Sequence, residues 1–497
     1  MKLSDLLEDA KSNGLEIKNV KGNTNIEVTG VVYDSRKAEN GSVFFCIVGA
    51  RSDGHEYAAD VISKGASVLF VSKEIGDINA TVVTVDDTRV ALRYIADAFY
   101  GHPAKKLKLI GITGTKGKTT TAHMIKSILE AKGIKTGMIG TNGAFAGNKK
   151  QETVNTTPES AELLRLFAWM ADEGITHVVM EVSSQAYKLG RCDGLEFEIA
   201  VFLNISPDHI GENEHKDFEE YFHCKSMLFE HAKKTVVNID ADRWQEMIKG
   251  AGDEYVTVSV KSENARLFAD NIENTWEPGI LGLKFNAHGD LNGEFHLAIP
   301  GKFNVENALC AVEAALLAGA DENAVREGLK NLTVKGRMQL MTCASPITTL
   351  LIDYAHNAVS MEHLLTTLRE YNPGRLIVMF GGGGNRPKAR RHEMGHMAGK
   401  YADFVLVTSD NSRYEDVNDI IKDIQVGLDE SDTPYEIIPD RKEAIYWLME
   451  HCNKDDIVAL AGKGHEEYQD IMGVKTHFSE QEIVEDYMKN IYPGRTK

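Results

Sequence analysis

A glycine-rich turn between an apolar strand and an amphipathic helix constrains this chain more than any other feature. The apolar run Leu109 to Ile112 leads into Gly114-Thr115-Lys116-Gly117-Lys118-Thr119-Thr120, and apolar residues then recur at Ala122, Met124, Ile125, Ile128 and Leu129. That spacing predicts a helix whose N-terminus opens on the turn. Glycines let backbone N–H groups wrap a phosphate, and the helix end adds partial positive charge. Lys118 can neutralise the β/γ oxygens of a nucleotide triphosphate, and Thr119 can ligate Mg²⁺. The strict form of such loops has glycine at the position of Ile112, so the match is to a shorter variant. The plain alternative is a turn that binds nothing. Agreement of strand, glycines, lysine, paired threonines and helix argues against it.

From Leu107 onward strands and helices alternate, as in a parallel sheet covered by helices. Strands are expected at Leu109 to Ile112, Val178 to Val182 and Ala200 to Leu203, each running into polar residues. Ligands collect at the carboxyl ends of strands in open α/β sheets. Glu181 there would suit Mg²⁺, which prefers oxygen ligands. Asp208 and His209, in Asn204-Ile205-Ser206-Pro207-Asp208-His209, would emerge on the same edge. Taken singly, Glu181 reads equally well as a strand-end cap and His209 as an ordinary surface or core residue.

A length of 497 residues exceeds one ordinary core. Segment 1–104 alternates short strands with helices and closes at the Gly101-His102-Pro103 break; segment 105–335 carries the phosphate loop; segment 336–497 begins a second α/β unit. In this last segment strands are expected at Leu350 to Ile352, Leu376 to Phe380, Phe404 to Val407 and Ile457 to Leu460, again ending in polar or Gly-rich turns. The net charge of −19 argues against a broad nucleic-acid footprint, so any anionic substrate must be met by local groups. No apolar stretch of about 18 residues and no signal-peptide pattern occurs, which points to a cytoplasmic protein that does not enter membranes. Six scattered cysteines without a CxxC pair suit reduced thiols.

Further motifs recur along the chain in one order. They are Asp34-Ser35-Arg36, Asp53-Gly54-His55, Asn155-Thr156-Thr157-Pro158-Glu159, Glu181-Val182-Ser183-Ser184, His223-Cys224-Lys225, Asn304-Val305-Glu306-Asn307, Gly336-Arg337-Met338-Gln339, Asp353-Tyr354-Ala355-His356-Asn357, Asp410-Asn411-Ser412-Arg413 and Gly462-Lys463-Gly464-His465-Glu466. With the phosphate loop they resemble the Mur ligases, which build the peptidoglycan stem peptide. The resemblance implies an α/β protein of three domains: an N-terminal UDP-binding α/β domain, a central P-loop-type ATPase domain with a mainly parallel sheet, and a C-terminal Rossmann-like α/β domain. It implies an ATP-dependent amide ligase of cell-wall synthesis, and so of cell shape and division. Such an enzyme would add meso-2,6-diaminopimelate to UDP-N-acetylmuramoyl-L-alanyl-D-glutamate through an acyl phosphate. A monomer is expected.

The resemblance also implies residue roles. ATP would be held by Gly114 to Thr120 together with Asn307, Arg337, Asp353 and His356. Thr119, Glu181, His209 and a carbamylated Lys225 would hold Mg²⁺, with Lys118, Lys225 and His209 catalytic. The UDP-sugar peptide would touch Ser35, Ala50, Arg51, Ser52, Asn155, Thr156, Thr157, Ser183 and Arg191. Arg391, Asp410, Asn411, Ser412, Arg413, Gly462 and Glu466 would take the amino acid. Arginine at 413 offers a planar fork for a distal carboxylate, which lysine lacks. Structural alternatives stand beside these roles: Thr156 and Thr157 as an N-cap before Pro158, an unmodified salt-bridged Lys225, and a strand-end turn at 462–466. The family pattern has proline at the positions of Ala358 and Ser412, and an acidic pattern where this chain has Asn385-Arg386-Pro387-Lys388. Three rival readings remain: the same ligase using L-lysine or another diamino acid, a folylpolyglutamate synthetase, and a non-catalytic paralogue that binds the UDP-muramoyl peptide.

Overall fold

The computed structural model describes residues 1–49, 52–211, 214–252, 254–277 and 279–495. Its backbone forms two compact units, Met1–Val258 with Glu313–Ala320, and Ser259–Val312 with Asp321–Lys497.

The first unit contains two sheets. One has five short strands in the order Asn19–Lys21, Thr81–Thr84, Val68–Val71, Ser42–Phe45, Gly30–Val32, parallel except for the edge strand Asn19–Lys21. Val43, Phe45, Val68 and Phe70 point to one face and Phe44 and Leu69 to the other, so both faces are covered and the strands read as continuous apolar runs. The second sheet runs Ala232–Asn238, Phe197–Phe202, Lys108–Thr113, His177–Glu181, Thr136–Gly140, all parallel. It then turns antiparallel through Gly143–Ala146 and Lys149–Gln151. The chain leaves Lys108–Thr113 to one side for Thr136–Gly140 and His177–Glu181, then returns to the other side for Phe197–Phe202. The glycine-rich turn therefore stands at the point where the strand order reverses, the crevice where such sheets bind ligands.

In the second unit a three-stranded antiparallel meander, Leu267–Glu277, Ile280–Gly289 and Gly293–Leu297, precedes a six-stranded sheet. The latter runs Gln339–Leu340, Thr349–Asp353, Asp456–Ala461, Arg375–Phe380, Phe404–Val407, Tyr435–Ile437, parallel except at Gln339–Leu340. Alternate strand residues face opposite ways. Leu351, Val378, Val405 and Ala459 pack against helices Ala358–Arg369, Lys388–Tyr401 and Val417–Leu428. Ile352, Met379, Leu406 and Val458 pack against Arg441–His451 and Glu480–Asp486. Helices on both faces make this sheet doubly wound, as expected from the sequence. Among the described residues no helix is long and apolar enough to cross a membrane.

Candidate functional site

The glycine-rich turn has the strand–turn–helix form that the sequence predicted. Strand Lys108–Thr113 ends in a turn whose last residue, Gly117 (φ 89°), is the N-cap of helix Lys118–Ala131. A left-handed residue there lets the chain enter the helix with its first N–H groups turned outward. The loop is anchored from a neighbouring strand end: the Thr115 N–H donates to Asn204 O at 3.1 Å, the Lys116 N–H to Asn204 Oδ1 at 3.0 Å, and Asn204 Nδ2 to Lys116 O at 3.2 Å. Thr115 is tied further to Ser206 and, through its hydroxyl, to the Tyr221 hydroxyl at 2.9 Å. Thr115 thus serves the loop's shape, while Thr120 follows Thr119 in the helix's first turn.

Two lysines converge on one acceptor. Lys118 Nζ donates to Gly114 O at 2.7 Å and to Thr115 O at 3.2 Å, and Lys225 Nζ donates to the same Gly114 O at 2.9 Å. Lys225, on helix Phe218–Glu230, is buried, and its Nζ lies 4.7 Å from the Tyr221 ring centroid. Burial and the nearby Lys118 ammonium hold the Lys225 ammonium well below the usual lysine range. Among the described residues no carboxylate pairs with Lys225, so the plain alternative of a salt bridge has no counterpart there.

Glu181 ends its strand beside the loop and is buried. Its Oε2 accepts from the Thr119 hydroxyl at 3.0 Å and from the Thr141 hydroxyl at 3.3 Å, and its Oε1 accepts from the Thr141 N–H at 2.9 Å. Gly140 makes this possible, because a Cβ there would meet Glu181 Oε1 at 2.1 Å. Thr119 and Glu181 thus form an oxygen pair of the kind Mg²⁺ takes together with phosphate oxygens and water. Among the described residues no group of three or more His, Cys, Asp or Glu side chains is placed to hold a metal, so cluster-type binding has no counterpart here. His209 (φ 54°) lies on the loop-anchoring segment, half exposed, with Nδ1 against Glu214 Oε1 at 3.1 Å and its ring 6.2 Å from that of Tyr221. Asp208, beside it, is held low by Lys116 and His209 in spite of burial, which alone would raise it.

Next to Glu181 the structure gathers several residues expected to meet the sugar peptide. The Thr157 hydroxyl donates to Glu181 O at 2.9 Å and to Ser183 Oγ at 3.2 Å, and Arg191 Nη1 donates to Thr157 O at 3.0 Å. The Thr156 hydroxyl pairs with that of Thr141 at 3.1 Å, while Asn155 is exposed. The N-cap alternative fails for both threonines: helix Ser160–Asp172 is capped by Glu159, whose side chain accepts from the Ser160 N–H. In the N-terminal sheet Ser35 lies in a 3₁₀ turn where its carbonyl accepts from Lys64 Nζ at 3.0 Å, and Arg36 clasps Asp34 through two bonds of 2.9 and 2.7 Å. Asp53 and His55 support one another and the Ser72 N–H, a structural role. Ser52 is exposed; Ala50 and Arg51 lie outside the described residues.

A second constellation belongs to the second unit. Asp353 Oδ2 accepts from the Met338 N–H at 2.8 Å, and burial pushes this carboxyl up against the pull of Arg337. The Tyr354 ring lies between the rings of His356 and His465 at 4.4 and 4.8 Å, with the Arg337 guanidinium 5.2 Å from its centroid. His356 Nδ1 faces Tyr354 O at 2.6 Å, and burial keeps its imidazole low. Asn307, on helix Phe303–Leu317, donates to Asn304 Oδ1 at 3.0 Å.

Nearby, Asn411 Nδ2 donates to Glu466 Oε2 at 2.7 Å. Arg413 (φ 50°) reaches back to Gly384 O through Nη1 at 2.5 Å. Its backbone is clamped by the hairpin Tyr468–Ile471/Val474–His477: the Arg413 N–H donates to Asp470 O at 2.9 Å and the Met472 N–H to Arg413 O at 2.6 Å. Asp410 and Ser412 are buried in the same turn, and a Cβ at Gly462 would meet Asp410 Oδ2 at 2.8 Å. Burial and Asp410 push the Glu466 carboxyl up, Lys463 and Arg413 opposing.

Arg391 differs from its expected role. It is buried on helix Lys388–Tyr401 and ion-paired to Asp423 and Glu415 at 2.8 Å each, with a third bond to Gly383 O. With both Nη groups engaged and only a buried Nε left without a partner, this guanidinium is tied to the 383–385 turn and to helix Val417–Leu428. Arg386, on the same turn, is exposed. The sequence reading quoted Arg386, Lys463 and Tyr354 within their motifs without giving them a role, and it did not single out Thr141 at all.

Comparison with known proteins accords with this geometry. Residues 27–100 match the model "Mur ligase family, catalytic domain", residues 112–315 the "Mur ligase middle domain", and residues 336–464 the "Mur ligase, glutamate ligase domain". The chain is 42% identical over 491 residues to UDP-N-acetylmuramoyl-L-alanyl-D-glutamate--2,6-diaminopimelate ligase of Caldanaerobacter subterraneus subsp. tengcongensis, covering 98% of this chain and 99% of the relative. The chain belongs to the Mur ligase family. A second relative, UDP-N-acetylmuramoyl-L-alanyl-D-glutamate--2,6-diaminopimelate ligase 1 of Clostridium acetobutylicum, is 41% identical over 99% of this chain and 100% of its own length. A solved structure of a UDP-N-acetylmuramoyl-L-alanyl-D-glutamate--2,6-diaminopimelate ligase superposes with a TM-score of 0.69 at 28% identity, covering 99% of both chains. As a Mur ligase, the chain has that family's three-domain α/β fold and is an ATP-dependent ligase of peptidoglycan synthesis.

Proposed function

We propose that this Mur ligase joins meso-2,6-diaminopimelate to the D-glutamyl carboxylate of UDP-N-acetylmuramoyl-L-alanyl-D-glutamate. The observation that carries the choice of amino acid is Arg413 held beside Glu466, Asn411 and Asp410. A guanidinium and carboxylates brought together from two turns complement the distal carboxylate and ammonium of diaminopimelate, whereas lysine's single distal ammonium would leave Arg413 unmatched. The relatives at 42% and 41% identity bear names with the same substrates, which supports the reading. A match across residues 27–100 as well as the later domains favours a UDP-sugar peptide over a folate. We assign the functional segments to 1–104 for the UDP-sugar, 105–335 for ATP and phosphoryl transfer, and 336–497 for the amino acid, in a cytoplasmic monomer.

In the reaction a glutamyl carboxylate oxygen attacks the γ-phosphorus of ATP and ADP departs. The amine of the diamino acid then attacks the acyl carbon, phosphate leaves and the amine loses a proton. Loop N–H groups at 114–120 cradle the phosphates, and Lys118 meets the charge on the transferring group. Thr157, Ser183 and Arg191, tied to the Glu181 strand end, position the sugar peptide. Thr119 and Glu181 would hold Mg²⁺, with His209 at the rim; the ion would offset charge on the phosphoryl oxygens. Lys225 is suited to carbamylation, because the neutral amine is the form that adds to CO₂ and burial favours that form. One N–H remains after addition to donate to Gly114 O, and the new anion would relieve the repulsion between the two lysines.

The test is phosphate release from ATP with UDP-N-acetylmuramoyl-L-alanyl-D-glutamate, comparing diaminopimelate with L-lysine at equal concentration. Preference for diaminopimelate is expected. Preference for lysine would overturn the specificity, and silence with both would favour a non-catalytic paralogue.

A further inference from the structure

Lys463 lies in the turn after strand Asp456–Ala461 with its side chain wholly buried. An ammonium taken out of water needs compensation from its surroundings. Its Nζ is 3.2 Å from Asn411 Oδ1 and 3.9 Å from both Asp410 Oδ1 and Glu466 Oε2, between the rings of Tyr468 and Phe478, each 5.7 Å away. The other charged groups facing it are Arg441 and Glu480. These two pair with each other at 2.9 and 2.8 Å, and Arg441 also donates to Ser409 O and Ala461 O. That leaves Lys463 between the carboxylates of Asp410 and Glu466, the second of which Arg413 also faces.

The same ammonium fixes an amide. Asn411 Oδ1 accepts from Lys463 Nζ and from the Asp470 N–H at 2.9 Å, so Nδ2 must turn toward Glu466 Oε2, where it donates at 2.7 Å. Removal of Lys463 would leave buried Asp410 and partly buried Glu466 as two carboxylates of like charge, with Asn411 Oδ1 held by a single donor.

We propose that Lys463 is a positioning residue that orients Asn411 and Glu466 and, with the Arg413 guanidinium matched by the distal carboxylate of the amino acid, leaves one carboxylate charge in this pocket to receive the incoming ammonium. This rests on the assignment of the pocket to the amino acid. The titration of the cluster agrees: burial holds the Lys463 ammonium low with Asp410 opposing, and burial and Asp410 push the Glu466 carboxyl up with Lys463 opposing. Replacing Lys463 by a neutral side chain therefore raises the Glu466 carboxyl further. Glu466 would then protonate, and lose its hold on an ammonium, at higher pH.

The experiment compares the full-length wild type, Lys463→Met and the double variant Asp410→Asn/Lys463→Met. Wild-type turnover with diaminopimelate is the control on which the functional reading stands or falls; only the variant-to-wild-type ratios bear on Lys463. Lys463→Met is expected to raise KM for diaminopimelate about 30-fold, the order seen when a buried charge loses its partner. KM for ATP and for the UDP-peptide should stay within about twofold, and the acid limb of kcat/KM for diaminopimelate should move to higher pH. The double variant removes one charge of each sign, so the limb should return toward the wild-type position and KM should fall. If Lys463→Met does not fold, the double variant alone carries the test, with a wild-type acid limb expected. An unmoved acid limb in Lys463→Met, equal changes in all three KM values, or a double variant whose limb stays displaced would overturn the proposal.

Discussion

Replacing Gly140 by alanine should dislodge the Glu181 carboxylate and weaken the site for Mg²⁺ without touching any group that meets substrate. A Cβ at 140 would lie 2.1 Å from Glu181 Oε1 and 2.8 Å from its carboxyl carbon. Ordinary contact is about 3.4 Å or more, so the carboxylate must move by roughly 1 Å. Three hydrogen bonds hold it, from the Thr119 hydroxyl at 3.0 Å, the Thr141 N–H at 2.9 Å and the Thr141 hydroxyl at 3.3 Å. A shift of that size breaks at least one, and a bond to a charged group contributes about 1.5–3 kcal/mol. The Mg²⁺ concentration for half-maximal phosphate release should therefore rise about 10- to 150-fold, at 1.4 kcal/mol per factor of ten. In a strand interior Gly→Ala otherwise stabilises by about 0.5–1 kcal/mol, so a lower unfolding midpoint would itself implicate the contact. Shortening the acid by one methylene in Gly140→Ala/Glu181→Asp relieves the clash and should recover Mg²⁺ affinity relative to Gly140→Ala. An unchanged Mg²⁺ dependence in Gly140→Ala, or a double variant worse than both singles, would refute the reasoning.

Lys118→Ala should fold normally and lose at least about 100-fold in kcat, as expected when a donor to developing charge is removed; unchanged ligation would reject its role. Arg413→Lys should abolish the preference for diaminopimelate over L-lysine in the paired phosphate-release assay, because a point charge replaces a planar fork, and a retained preference would assign selectivity elsewhere. Lys225, with its ammonium held low in the fold and ordinary in the unfolded chain, makes the unfolded state bind more protons, so in CO₂-depleted buffer stability should rise as pH climbs from neutrality toward the usual lysine range. Lys225→Met should flatten that rise and be more stable than wild type near neutral pH, yet inactive; denaturant midpoints across this range check both.

The central parallel strands were legible where both faces are buried and the chain reads as an uninterrupted apolar run, such as Leu376 to Phe380 or Ile457 to Leu460, whereas Ala232–Asn238 and Tyr435–Ile437, interrupted by polar residues, were not. The antiparallel strands escaped notice for the opposite reason. Leu267–Glu277 alternates buried Leu267 and Ala269 with Asp270 and Glu273, and Lys149–Gln151 has hardly an apolar atom to betray it. At the site, the sequence identified side chains by type but not by partner. Lys118 and Glu181 lie on the helix start and strand end that their motifs implied, whereas Arg391, expected to take the amino acid, is closed on by Glu415 and Asp423, 24 and 32 residues away. Long-range pairing of that kind leaves no periodic trace. Lys463 was hidden for a related reason, since its burial depends on rings at 468 and 478 and on Asp410 from a separate turn, besides Glu466 in its own.

The departures from the family's proline pattern bear on whether this chain has kept its activity, and both are met by local structure. Ala358 is the first residue of helix Ala358–Arg369, a position where proline is favoured because its φ is preset and its missing N–H is not needed. Here the entry is fixed instead by a capping box: the Ser360 N–H donates to Asn357 Oδ1 at 2.9 Å and the Asn357 N–H to Ser360 Oγ at 3.2 Å. At Ser412 the lost ring is answered by neighbours. The Gly384 N–H binds Asn411 O at 2.8 Å, and the hairpin closes on both backbone groups of Arg413. Asn385 replaces an acidic residue, yet its N–H binds the carboxylate of Glu415, which in turn holds Arg391. At Ala358 and Ser412 a hydrogen-bonded clamp thus sets the backbone that proline would have preset. A chain drifting into a non-catalytic role would have no reason to keep these clamps around Asn357 and Arg413 together with Lys118, Thr119, Glu181 and Lys225, and their joint presence favours a working ligase.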